Sequence, residues 1–94
     1  MINSENIWIF NCTKGQFPSG AFTDLKLAKD WIALHKLTGL LTNYPVNEGV
    51  FDWSIRCGFF KPSTPHQLTP EFVGRFSSAA MEHRHYENGS RIDV

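Results

Sequence analysis

The run Glu82-His83-Arg84-His85-Tyr86-Glu87-Asn88-Gly89 holds two of the chain's four histidines, two positions apart, among carboxylates, a guanidinium and a phenol. Nowhere else in the sequence are proton-transfer, metal-ligand and anion-binding groups so concentrated. Side chains on a strand alternate between faces, so His83 and His85 share one side while Arg84 and Tyr86 take the other. Three chemistries are open to this arrangement. Histidine titrates near neutrality, so His83 and His85 could serve as an acid–base pair. Arg84 or Arg75 would then steady an anionic transition state, as in metal-free RNA cleavage. The same imidazoles could ligate a metal, but zinc needs three or four ligands. His35, His66, Cys12 or Cys57 could add one, and no spacing selects among them, so neither a metal nor another cofactor is expected. On the third reading the opposite face, made of Glu82, Arg84, Tyr86 and Arg91, anchors a protein partner, because tyrosine and arginine are enriched among interface anchors.

Other reactive groups carry less. Ser19, Ser77 and Ser78 lie in no G-x-S-x-G elbow, and the sequence has no G-x-G-x-x-G, Walker or EF-hand motif. Cys12 and Cys57 form no C-x-x-C pair and read as small, half-buried apolar residues in a reducing compartment. Nine basic and nine acidic residues cancel, with no run of like charge. Binding to nucleic acid rests on neutralising phosphates, so no nucleic-acid partner is indicated. No apolar stretch is long enough for a membrane span, and residues 7–10 are too short for the core of a signal peptide. A cytoplasmic location is the expectation.

The elements that must position these groups fit one domain of 94 residues. Eight Phe, three Trp and two Tyr supply the large side chains that so short a chain needs for a core. Residues 7–12 are apolar on both faces and read as a central strand. Residues 16–22 return as a second strand, held to an edge or broken at Pro18-Ser19-Gly20 because proline cannot donate to a ladder. Thr23 caps a helix running to about Lys36 that buries Leu27, Ala28, Trp31 and Ile32 and is ended by Gly39. His35 falls in its apolar arc as a core or boundary residue. Residues 40–44 form a third strand, stopped by Pro45. Asn47 caps a second helix ending near Gly58, with Val50, Trp53 and Cys57 as its stripe and Asp52 paired to Arg56 on its surface. Phe59-Phe60 packs the chain back. Thr69-Pro70-Glu71 starts a third, short helix. Residues 77–87 read as a strand, and Asn88-Gly89 is a strong hairpin turn. Pairing across that turn sets Tyr86 opposite Arg91, His85 opposite Ile92, Arg84 opposite Asp93 and His83 opposite Val94. The order β-β-α-β-α-α-β implies an α+β domain, with a mixed or mainly antiparallel sheet of about four strands under one amphipathic helix.

Several motifs taken together carry a resemblance. They are Trp8-Ile9-Phe10, Phe17-Pro18-Ser19-Gly20-Ala21-Phe22, Trp31-Ile32, Leu37-Thr38-Gly39-Leu40-Leu41-Thr42-Asn43-Tyr44-Pro45, Asp52-Trp53, Gly58-Phe59-Phe60-Lys61-Pro62, Phe76-Ser77-Ser78-Ala79 and the 82–89 run. The pattern resembles a family of small, stand-alone bacterial proteins of unknown function and spans nearly the whole chain. It implies no catalytic residue. By analogy, small bacterial proteins of this build include immunity partners that neutralise toxins. The function expected is a non-enzymatic protein-interaction domain, with a small hydrolase or nuclease built on His83 and His85 as the alternative.

Overall fold

The computed structural model describes residues 6–93. Five strands form one sheet: β1 (Asn6–Cys12), β2 (Gly20–Phe22), β3 (Gly39–Pro45), β4 (His83–Glu87) and β5 (Ser90–Arg91). Their order across the sheet is β2-β1-β3-β4-β5, and every neighbouring pair is antiparallel. Three helices complete the α+β domain: α1 (Leu25–Leu34), α2 (Val50–Arg56) and α3 (Pro70–Arg75), with a single 3-10 turn at Pro65–Leu68. The fifth strand comes from the hairpin. Asn88 (φ +49°) and Gly89 (φ +87°) both take the left-handed conformations that a two-residue turn requires. β2 is shorter than expected. Only its last three residues pair with β1, because the ladder cannot run back through Pro18.

Strand alternation gives the sheet two unlike faces. Trp8 and Phe10 of β1, Leu41 of β3 and Tyr86 of β4 point to one side. There they form the core with Ala28 and Ile32 of α1. Phe10, Ala28, Ile32 and Leu41 are fully buried. Trp31 is half-buried and meets the rings of Phe10 at 5.8 Å and Phe22 at 5.4 Å. Leu27 lies outside this core, being 59% exposed, and Leu34 is 74% exposed. α1 thus buries a narrower face than its composition suggests: Ala28 and Ile32 fully, with Leu25 and Trp31 packed in part against the core. Its cap is Asp24 rather than Thr23, with Asp24 Oδ1 accepting the Lys26 N–H at 2.8 Å. Lys36, at φ +52°, turns the chain out of the helix. Gly39 instead lies inside β3. A side chain there would run into the Asn11 carbonyl and stand 2.8 Å from the Phe10 ring. His35 is exposed, with its ring centroid 5.7 Å from that of Trp31.

α2, α3 and the loop between them build a second aromatic cluster. Phe51 is 8% exposed and meets Phe60, Phe72 and Phe76 at centroid distances of 5.8, 6.3 and 5.4 Å. The buried side of α2 is therefore Phe51 and Ser54. The Val50–Trp53–Cys57 stripe lies to the outside, where Cys57 is exposed and Trp53 half-buried. The cap is Gly49, not Asn47. Arg56 forks onto Glu48 with two bonds of 2.9 Å instead of pairing with Asp52. Two fork-like bonds to a carboxylate outcompete a single i,i+4 contact. Between α3 and the sheet, residues 77–82 cross as irregular chain, so the expected long strand begins only at His83.

Candidate functional site

β4 divides the chemistry-bearing run between the two sheet faces. Its pairing with β3 sets Arg84 beside Leu41 and Tyr86 beside Gly39, which places both on the α1 side. Tyr86 joins the core there and is 4% exposed. The Arg84 guanidinium lies 5.7 Å from the centre of the Trp8 ring, and its Nη2 is 3.7 Å from Glu82. The Arg84 side chain is only 18% exposed. The expected open polar face of Glu82, Arg84, Tyr86 and Arg91 is thus the core face of β4, with Glu82 and Arg91 at its rim. Its polar composition suggests an open face, but the register of β4 on β3 turns Arg84 and Tyr86 toward α1.

The hairpin register is found as expected at Tyr86 opposite Arg91, and the Ile92 N–H donates to the His85 carbonyl at 2.9 Å. The expected Arg84–Asp93 pairing is replaced. Asp93 accepts from Arg91 Nε at 2.6 Å and from the His85 backbone N–H at 3.0 Å. The Arg91 bond, first, and the His85 N–H hold its carboxyl below the usual aspartate range. Its side chain takes over the ladder at the point where β5 ends. The expected partner of His83, Val94, lies outside the described residues.

On the other face the two histidines do come together. Their ring centroids are 5.5 Å apart, with the rings nearly perpendicular. His83 Nδ1 lies 2.8 Å from the Met81 carbonyl oxygen. A carbonyl can only accept, so Nδ1 carries the proton and a neutral His83 presents the lone pair of Nε2. Both rings line a groove of about 260 Å³ floored by Thr42 and walled by Ser77 and Met81. A second depression of about 360 Å³ continues from it past His85. The cations expected to serve an acid–base pair stand elsewhere. Arg84 is on the α1 side, and Arg75 lines a depression at α3 with His66 and Glu71. Of the other suggested metal ligands, His66 stands there against Phe72, His35 stands beside Trp31, and Cys12 borders the second depression. Among the described residues no three His, Cys, Asp or Glu side chains are grouped as a metal site.

A further surface escaped sequence reading. Phe59 and Phe60 are neighbours with opposite fates. Gly58, at φ +81°, turns the chain at the end of α2, and the N–H groups of both phenylalanines bond to the Ser54 carbonyl at 2.8 and 3.2 Å. That clamp aims Phe60 into the Phe51 cluster and leaves Phe59 outside, 59% exposed, with its ring 5.5 Å from Trp53. Ile55 and the braced Arg56 are exposed on the same short helix. The Gly58 turn was legible in the sequence, but which phenylalanine would face out depended on the distant partners Phe72 and Phe76.

Fold and surfaces together define a small α+β domain with a five-stranded antiparallel sheet, one closed core and an aromatic outcrop. The chain belongs to the family described as Domain of unknown function (DUF7710), whose profile matches residues 7–92. No curated protein and no solved structure matches it. Among the described residues no helix is long and apolar enough to cross a membrane.

Proposed function

We propose that this chain is a non-enzymatic protein-interaction domain that binds its partner through the Trp53–Phe59 outcrop. The split between Phe59 and Phe60 carries this reading. A phenylalanine held out of an adjacent aromatic cluster by a backbone clamp, resting against Trp53, adds little to folding and is pre-organised for contact. Interface anchors are enriched in Trp and Arg, and rigid aromatic side chains lose little entropy on docking. Arg56, fixed by Glu48, stands beside the pair as a polar rim group. A cytoplasmic bacterial protein that neutralises a toxin by covering it is the specific form of this proposal. The hydrolase alternative keeps one supporting feature, the orientation of His83 by Met81.

The test is a photo-crosslinking amino acid placed at Phe59 in the full chain, expressed in its own cells. Leu27, exposed on α1, takes the same label as a control. A discrete adduct from position 59 and none from position 27 is expected. Equal labelling from both, or turnover in RNase, phosphodiesterase or esterase assays that disappears with His83→Ala/His85→Ala, would overturn the reading.

A further inference from the structure

The histidine groove carries an inference independent of any partner. A metal bound by two imidazoles fixes how far apart the rings can be. With metal–nitrogen bonds of about 2.0–2.1 Å and about 1.1 Å from nitrogen to ring centre, the centroids stand about 5.1–5.5 Å apart at tetrahedral to trigonal angles. His83 and His85 are 5.5 Å apart. Strand alternation puts both on one face, so no backbone rearrangement is needed to bring them together. The Met81 carbonyl accepts a hydrogen bond from His83 Nδ1–H at 2.8 Å, as an outer partner does for a metal-bound imidazole, fixing the tautomer and leaving Nε2 free. Both rings open into the groove over Thr42, where water can fill the remaining positions.

We propose that His83 and His85 form an open, two-imidazole site for one divalent transition-metal ion of the zinc or copper class. Imidazole nitrogens suit these ions, while magnesium and calcium require oxygen ligands. A closed structural site needs four protein ligands. An open, exchangeable one with water completing the shell can be built on fewer, at lower affinity.

The test is calorimetric titration of the tag-free full chain, stripped with chelator, against Zn²⁺ and Cu²⁺, with Mg²⁺ in parallel. Saturable uptake of one ion per chain between about 1 and 100 µM is expected for the first two, and none for Mg²⁺. His85→Ala alters an exposed side chain and leaves the fold intact. It should weaken uptake by at least about tenfold, and His83→Gln should do the same with an unchanged circular dichroism spectrum. If His83→Gln fails to fold, the absorption spectrum of the Co²⁺-loaded native chain replaces it. Ligand-field bands without a thiolate charge-transfer band are then expected. Absence of saturable uptake, uptake unchanged in His85→Ala, or a thiolate band assigning the ion to Cys12 or Cys57 would overturn the proposal.

Discussion

The two aromatic clusters are built differently. Under α1, Phe10 and Leu41 are sealed between sheet and helix, and Trp8 and Tyr86 are all but closed off. In the α2–α3 unit only Phe51 and Ser54 are buried, while Phe60, Phe72 and Phe76 stay half-exposed. A sheet face with a helix laid across it closes a core. Two helices of seven and six residues cannot, and their rings pack around one another in mixed edge-on, tilted and stacked pairs. The sheet core therefore supports stability. The looser unit holds aromatic side chains at the surface, where they are available for contact.

That contrast can be broken by substitution. Phe10→Ala and Tyr86→Ala should each cost about 3–5 kcal/mol in denaturant unfolding, since each empties a sealed site. Phe51→Ala should cost less, about 2–3 kcal/mol, because its half-exposed neighbours can collapse into the gap. A larger loss at Phe51 than at Phe10 would reverse the assignment of the main core. Phe59→Ala and His85→Ala should each change stability by less than about 0.5 kcal/mol, as surface substitutions do. Matched losses at Tyr86 and His85 would show that the two faces of β4 do not differ.

The smallest effect concerns the brace on the outcrop. The Arg56 hydrogen bond, first, and its charge hold the Glu48 carboxyl below the usual glutamate range. A lowered folded-state value means the pair contributes above the range where free glutamate titrates. That contribution is lost as pH falls through the folded value. NMR titration should find Glu48 below the ordinary range in the native chain and back within it in Arg56→Ala.

Local chemistry was legible where it acts over a few residues. The hairpin at Asn88-Gly89, the cap at Thr69 with Pro70 behind it, and the breaking of the second strand at Pro18 each follow from one residue's backbone preference. The all-antiparallel sheet and the inward face of β4 were less legible. Tyr86 goes inward because β4 pairs with β3 in a register that sets it across from Gly39, 47 positions earlier in the chain. Leu27 is exposed because α1 meets the sheet through Leu25, Ala28, Trp31 and Ile32, and Leu27 falls outside that face. The pairing of His83 with His85 followed from alternation alone, whereas the Met81 bond that orients His83 needed the irregular 77–82 segment in place.

The central claim is that Phe59 is displayed for a partner rather than for folding. The direct measurement is the affinity of the crosslinked partner for native chain and for Phe59→Ala, with Leu27→Ala/Leu34→Ala as the exposed control. The account predicts a loss of at least about 2 kcal/mol, roughly thirtyfold in Kd, for Phe59→Ala at unchanged unfolding midpoint, and no change for the control. An affinity untouched by Phe59→Ala, or weakened equally by the control, would contradict it.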